Sequence, residues 1–417
     1  VRLILFDSNL FEAGGEERLL LEHARYLRSK GHDVSVLTVF FDPKALFDKY
    51  TDIPIIALSS YHAPRVMTLA EKIRLTLAIR KQFRVLKPDL VLGQLAIDCS
   101  ILYLACFFPK IRYATHIHGT IMWFPAESTK YSLLHRKTMR ALRRGCDGHR
   151  QFYPESRKMN SFFAVLKREF DALLQVLGVR KAEKIFTLSN HMAHEITQLY
   201  GKPAFVLKGA YHERIFEHVA HSSIKQDLHL EKSRIILNIN RLDPRKRVDL
   251  LIKAFALQEK RMSNTFLVIG GEGREAPRLK ALTRELRLEH VIFLGFVPEQ
   301  KLFDYYATCD LFVHPNWADY AISVYEVLAM GKKVLCTTEM EFDEELLGYS
   351  QIFTALPVPE AFAQALSIAL EAPNDSPIPP TVLKRYTWEN YFRQIEEHLI
   401  SAHRENMHTE SPHQKGL

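Results

Sequence analysis

Two cations, Arg241 and Lys246, stand five residues apart in the run Arg241-Leu242-Asp243-Pro244-Arg245-Lys246. A glycine turn, Gly271-Glu272-Gly273, comes later, and a carboxylate, Glu326, lies inside segment 315–331. Each piece follows an apolar run that reads as a β-strand. A cation pair suits a diphosphate. A glycine turn lets backbone amides approach the same ligand, and a carboxylate suits the hydroxyls of a sugar or ribose. Open α/β sheets bind ligands where their parallel strands end, so this set predicts a nucleotide-sugar site. Blander readings accompany each piece: a solvated basic loop flanked by Arg245 and Arg247, an ordinary βα turn, and a carboxylate that complements a helix dipole.

The surrounding elements have the spacing that such a site needs. Residues 1–6 read as a buried strand, followed by a loop with Gly14 and Gly15, a helix over 16–30 ended by Gly31, and a strand over 34–39. Further strands are expected at 55–58, 90–93, 112–116, 184–188 and 205–207. The pattern restarts with strand 235–240, helix 248–259, strand 265–270, helix 276–286, strand 291–294, helix 299–308, strand 311–314, helix 323–329 and strand 333–337. Strands alternating with helices predict an α/β chain of two Rossmann-like domains with parallel sheets. The expected domains are 1–212, with a basic insertion at about 123–178, and 213–384. A linker is expected around 211–232, a closing amphipathic helix over 385–400, and a disordered polar tail over 401–417.

Composition narrows the class. At 417 residues the chain exceeds one core. With 47% hydrophobic and 25% charged residues it reads as globular. The five cysteines lack CxxC spacing, which favours a reducing, cytoplasmic setting over a disulfide framework. The start of the chain runs directly into a polar turn, so no secretory leader is expected there. No apolar run is long enough to span a bilayer.

The excess charge is uneven. Segment 130–168 holds eleven Lys/Arg against Asp147 and Glu155, interleaved with Tyr131, Phe152, Tyr153, Phe162 and Phe163. Residues 65–87 mix Leu69, Ile73, Leu77 and Phe83 with Lys72, Arg74, Arg80, Lys81, Arg84 and Lys87. Both regions suit an anionic membrane surface, although a sheet-packed helix with a solvated basic face gives the same pattern. No helix-turn-helix, zinc-finger or RRM pattern supports nucleic-acid binding. His116 and His118 lie two apart without a Cys or acidic pair to complete a metal site.

Taken in order, the motifs resemble the GT-B glycosyltransferases of the large retaining family 4. Gly14-Gly15-Glu16-Glu17-Arg18 is similar to the family's G-G-x-E-R loop, and Gly31-His32-Asp33-Val34 to its G-H-[DE]-V turn. Asn240-Arg241-Leu242-Asp243-Pro244-Arg245-Lys246-Arg247 resembles G-R-L-x-P-x-K-G. Gly271-Glu272-Gly273-Arg274-Glu275 resembles G-x-G-x-E, and Phe293-Leu294-Gly295-Phe296-Val297-Pro298 resembles F-L-G-x-V-P. Glu326-Val327-Leu328-Ala329-Met330-Gly331 resembles E-A-M-A-x-G. The likeness covers most of 1–340 and the helix at Trp388. One position departs: Ala318 stands where the family carries the first of two glutamates, with Asp319 beside it.

The resemblance implies two Rossmann-like domains facing across a cleft, and a hexose moved with retention from a nucleotide-sugar to a glycan or lipid-linked oligosaccharide. Arg241 and Lys246 would hold the donor diphosphate, Gly271 and Gly273 would lend backbone amides, and Glu326 would bind the ribose. Phe296 and Val297 would frame the base. Asp319, with the backbone of Tyr320, Ala321 and Ile322, would bind the donor sugar. Gly14, Gly15 and His118 would meet phosphate, sugar or acceptor from the first domain. A UDP-, GDP- or ADP-linked sugar is the expected donor. No further cofactor and no metal is expected, since the two cations take over the electrostatic task of a metal. A non-catalytic GT-B protein that binds nucleotide-sugar or glycan is the alternative, and Ala318 is the feature that favours it.

Overall fold

The computed structural model describes residues 1–10, 14–46, 50–59, 69–118, 162–218, 224–262, 264–316 and 320–409. The chain divides into two compact units. One comprises Val1–Lys208 and the chain from Trp388 onward, and the other is Gly209–Thr387.

In the first unit β1 (Arg2–Leu10), β2 (Asp33–Phe41), β3 (Ile55–Ala57), β4 (Leu90–Gly93), β5 (Arg112–Ile117), β6 (Ile185–Thr187) and β7 (Phe205–Val206) form one sheet. The helices between them are α1 (Gly15–Ser29), α2 (Leu69–Leu86), α3 (Asp98–Phe107), α4 (Phe162–Lys181) and α5 (Asn190–Tyr200). The strand order is β3-β2-β1-β4-β5-β6-β7. Every pairing is parallel. β1 is buried at nearly every position, as expected for a parallel strand covered on both faces. Chain order reverses between β1 and β4, which pair with Phe6 opposite Gly93. Local chemistry sets the helix ends. Gly31 leaves α1 at φ 83°, and the Ser189 side chain caps α5 by accepting from the Met192 N–H at 3.0 Å.

The second unit contains β8 (Arg234–Ile239), α6 (Val248–Ala256), β9 (Thr265–Gly270), α7 (Ala276–Glu285), β10 (Val291–Gly295), α8 (Glu299–Thr308) and β11 (Leu311–His314). It continues with α9 (Ile322–Ala329), β12 (Val334–Thr337), β13 (Ile352–Ala355) and α10 (Pro359–Glu371). The strand order is β10-β9-β8-β11-β12-β13, again parallel, and it reverses between β8 and β11, where Leu311 faces Ile236. Side chains alternate along each strand. Ile235, Leu237, Phe312 and Val334 enter one core, while Ile236, Leu311, Val313 and Leu335 enter the other.

Two boundaries differ from the sequence reading. Tyr211, Ile215 and Leu230, from the segment read as a linker, belong to the core of the second unit, and the Tyr211 hydroxyl donates to the Leu383 carbonyl at 2.8 Å. The last helix, α11 (Trp388–Thr409), continues through residues 401–409, which read as disordered. Trp388, Tyr391, Phe392, Ile395 and Leu399 are all buried, and this apolar stripe anchors α11 on the first unit. Phe392 stacks on His23 at 4.6 Å, and Glu396 meets Tyr26 at 3.0 Å and His32 at 2.9 Å. Once anchored, a helix extends through polar residues at one hydrogen bond per residue. Among the described residues, no helix is long and apolar enough to cross a membrane.

Candidate functional site

The loops that leave β8 and β9 are joined by backbone hydrogen bonds. Leu242 N donates to the Glu272 carbonyl at 2.8 Å, and Glu275 N to the Leu242 carbonyl at 3.0 Å. Two glycines permit this approach. Gly271 has φ 118°, and a Cβ there would lie 1.7 Å from the Asn240 carbonyl oxygen. Gly273 has φ 153°, and its Cβ would lie 2.3 Å from that of Leu242. The glycine turn and the basic loop are therefore one structure, which brings Arg241, Lys246, Gly271 and Gly273 together beside the β8/β11 reversal. The loop after β10 joins them, since Gly271 N donates to the Gly295 carbonyl at 2.7 Å. Phe296 is exposed there, and Val297 packs against Gly270.

The basic loop is held by its own acids. Asp243 accepts from the Arg245 N–H at 2.9 Å and pairs with its guanidinium at 3.3 Å. Arg247, at φ 46° and almost fully buried, pairs with Glu339 at 2.7 Å. Arg241 is exposed. Lys246 is partly buried, and burial pushes its ammonium down to about 8, with Arg245 and Arg241 lowering it further and Asp243 opposing.

Three polar residues outside the basic loop complete this edge: Asn240 after β8, and His314 and Asn316 at the end of β11. Burial, and then the Lys246 charge, pushes His314 well below its usual range, so the ring is neutral at pH 7. The Asn316 amide faces two donors and one acceptor. Its oxygen accepts from Lys246 Nζ at 2.8 Å and from His314 Nε2 at 3.0 Å, and its nitrogen donates to the Lys246 carbonyl at 3.2 Å. The opposite orientation would set the amide nitrogen against the Lys246 ammonium. In the sequence Asn316 falls within the 315–331 segment without standing out. Its one available signal was a polar residue just beyond a strand, on the loop side of a parallel sheet.

Glu326 lies well inside its helix. It is the fifth residue of α9, in the second turn rather than at its head, and is 1% exposed. It therefore does not complement the helix N-terminus. Tyr211 is raised by burial first, then by Tyr386 and by Glu326, which places the carboxylate near that phenol. Ala321 is the extended residue before α9, Ile322 is its first residue, and the Tyr320 hydroxyl donates to the Gly209 carbonyl at 3.0 Å. Asp319 and Ala318 lie outside the described residues.

In the first unit the corresponding sheet edge carries imidazole, amide and carboxyl groups. His118 Nε2 meets Gln94 Oε1 at 2.8 Å, so Nε2 carries the hydrogen, while Nδ1 is buried without a hydrogen-bond partner. Burial pushes this ring down to about 3, with His23 adding to the shift. It is a neutral hydrogen-bonding group at pH 7. Two acids of this unit are also buried. Asp7 accepts from the Asn9 N–H at 2.8 Å and Asp98 from the Ser8 N–H at 3.3 Å. Burial raises Asp7 to about 6, and burial together with the Asp7 charge raises Asp98 well above its usual range. Gly14 precedes α1 in extended conformation and Gly15 opens it, with Glu16 and Glu17 in the first turn.

Of the two basic regions, residues 65–68 and 130–161 lie outside the described residues. In α2 and α4 several cations bind protein groups. Lys72 and Lys167 pair with the two oxygens of Asp171 at 2.5 and 2.8 Å. Arg80 donates to the Leu104 carbonyl at 2.7 Å, capping α3, and lies over the Phe108 ring at 4.8 Å. Ile73, Arg74, Leu77, Lys81, Arg84 and Val85 of α2 are exposed. Among the described residues, no group of three or more His, Cys, Asp or Glu could hold a metal ion.

Comparison with known proteins agrees with this architecture. The family described as Glycosyltransferase Family 4 matches residues 13–207, and that described as Glycosyl transferases group 1 matches residues 221–378. The N-acetylgalactosamine-N,N'-diacetylbacillosaminyl-diphospho-undecaprenol 4-alpha-N-acetylgalactosaminyltransferase of Campylobacter jejuni is 29% identical over 189 residues, 44% of this chain and 50% of that protein. O-antigen chain mannosyltransferase B of Escherichia coli is 26% identical over 172 residues, 39% of this chain and 45% of that protein. The chain thus spans about half the length of the curated relatives it matches. The crystal structure of Anabaena HepE in complex with UDP superposes with a TM-score of 0.72 at 17% identity, covering 96% of this chain and 100% of that one.

Proposed function

The chain belongs to family 4 of the GT-B glycosyltransferases, and from that premise we propose that it moves a hexose, with retention, from a nucleoside-diphosphate sugar to a hydroxyl of a glycan or lipid-linked oligosaccharide. The observation that carries this reading is the convergence of Arg241 and Lys246 with the Gly271–Gly273 turn at the β8/β11 reversal. The diphosphate would meet both cations and the Gly273 amide of the turn, whereas the Gly271 amide, expected to serve as well, already donates to the Gly295 carbonyl. As the bond from the anomeric carbon to the phosphate oxygen breaks, negative charge grows on the leaving diphosphate, and preformed cations stabilise it. The acceptor oxygen bonds to the same face of the carbon, and its proton passes to the departing phosphate oxygen. No side-chain nucleophile and no metal is needed for this course.

Glu326 would take the ribose, Phe296 and Val297 the base, and Asp319 with the backbone at Tyr320, Ala321 and Ile322 the donor sugar. In the first unit, Gly14 and Gly15 would serve sugar hydroxyls, since Glu16 and Glu17 already supply the negative charge that the α1 N-terminus favours. His118 would accept a hydrogen bond through neutral Nδ1. UDP is the nucleotide to test first, because HepE binds it. A lipid-linked acceptor at an anionic membrane surface fits the relative whose acceptor is a diphospho-undecaprenol, and the apolar and basic residues that alternate on the exposed face of α2. The second reading, a non-catalytic binder, draws on Ala318 at a position where the family carries glutamate.

A donor screen in EDTA decides between the two. UDP-, GDP- and ADP-sugars are offered with membrane lipid extract, and released nucleotide and labelled lipid are followed. Turnover of one donor supports the transferase. Binding without turnover supports the second reading.

A further inference from the structure

We propose that Asn316 is a positioning residue: its amide oxygen holds the Lys246 ammonium in place for a diphosphate, and the Lys246 carbonyl fixes the orientation of that amide. The importance of Lys246 to a diphosphate rests on the function proposed above. The placement of Lys246 by Asn316 does not.

The geometry is specific. The amide touches both ends of one residue, accepting from Lys246 Nζ at 2.8 Å and donating to the Lys246 carbonyl at 3.2 Å. His314 Nε2 supplies a second donor to the same oxygen at 3.0 Å. The Lys246 ammonium has donors only, so a flipped amide, which would turn its NH2 toward that ammonium, is disfavoured. The Asn316 backbone is held as well, since Thr337 Oγ1 donates to its carbonyl at 3.2 Å. Asn316 therefore ties the end of β11 to the basic loop after β8 and to the end of β12.

The chemical type matters as much as the position. Among the described residues, the charged groups facing Lys246 are Asp243, Arg245 and Arg241 on its own loop, with His314 neutral beside it. Asp243 is paired with Arg245, and Glu339 with Arg247. An amide stabilises the ammonium by hydrogen bonding without cancelling its charge, which remains available to an anionic ligand. An aspartate in the same place would satisfy Lys246 internally and repel phosphate. A leucine would leave both donors unpartnered and lower the Lys246 titration below about 8.

The experiment uses the full chain with Asn316→Leu and Asn316→Asp. Lys246 is titrated by NMR in protein labelled at lysine Cε, and inorganic pyrophosphate affinity is measured by calorimetry across the same pH range. In Asn316→Leu, the Lys246 midpoint should fall by about one pH unit, and the pH at which pyrophosphate affinity declines should fall with it, costing roughly tenfold in affinity at pH 7.5. In Asn316→Asp, the midpoint should rise by about one unit while affinity at pH 7 drops. If both variants fold and Lys246 titrates as in the parent, the proposal is overturned. If Asn316→Leu fails to fold, the direction of the Asn316→Asp shift decides alone. If the midpoint moves as expected but neither these variants nor Lys246→Ala changes pyrophosphate affinity, Asn316 positions Lys246 and the diphosphate assignment is the part that fails.

Discussion

The two sheets have the same strand order over their first six strands, with the reversal at the same place, yet their loop edges carry opposite chemistry. At the β8/β11 reversal stand Arg241 and Lys246, glycines that bring backbone together, and an amide that keeps an ammonium charged. At the β1/β4 reversal stand neutral imidazoles, Gln94 and two acids that burial drives toward the protonated form. Topology thus supplies the location of a site twice, and the residues at the strand ends decide what each location can bind. A cationic edge suits a leaving diphosphate. Neutral imidazole and amide groups suit hydroxyls, which bind to them without any charge change.

The sharpest way to break this comparison is to remove the charge from one edge. Lys246→Ala or Arg241→Ala should lower kcat by about 10²–10³-fold each, the range seen when one transition-state donor is lost. Steady-state kinetics with the cognate donor checks this, and full turnover in either variant would remove the diphosphate from this edge. Gly271→Ala attacks the geometry instead. Its Cβ would meet the Asn240 carbonyl and the residue must hold φ 118°, so stability should fall on the order of 1–3 kcal/mol and donor affinity should weaken. Thermal unfolding and calorimetry report both, and an unchanged pair would mean that the turn relaxes freely.

The other edge can be tested through pH. Asp7 is raised from 3.8 to about 6. A raised carboxyl contributes its stability below the unfolded value, and that stability is lost as pH climbs through about 6. Asp7→Asn keeps the oxygen that accepts from Asn9 and removes the charge. It should stabilise the protein by on the order of 2 kcal/mol at pH 7.5 and by little at pH 4. Equal shifts of Tm at both pH values would show that Asp7 is not a buried acid. The smallest effect concerns the surface of α2. Lys81→Glu with Arg84→Glu should weaken binding to anionic vesicles about tenfold at low salt, while Arg80→Glu should chiefly lower Tm because Arg80 caps α3. Co-sedimentation separates the two, and equal loss of binding in all variants would return Arg80 to the surface set.

Much of this was legible along the chain. Apolar runs bounded by Gly, Pro and Asn announced the strands and loops, and the Arg241–Lys246 and Gly271–Gly273 loops stood out because each follows such a run. Those features depend on neighbours within a few residues, so local pattern encodes them. Tyr211 was misread as part of a linker because its partner, Leu383, is 172 residues away. Arg80 and Lys72 were read as surface charge because the carbonyls and the carboxylate they bind belong to other helices. The place of Glu326 near Tyr211 was not legible, because the two lie far apart in the chain.

Residue types and spacing thus settled which chemistry the chain carries: two cations, a glycine turn and a strand-helix alternation able to present them. Folding settled which of these groups meet. Strand order places β11 beside β8 rather than beside β10, and only that pairing sets Asn316 and His314 against Lys246. Burial then tuned the charges, moving Lys246, His314, His118 and Asp7 away from their ordinary protonation ranges. The cause is common to all of them. Desolvation and long-range pairing arise from the packed interior, where residues far apart in sequence share one dielectric surrounding.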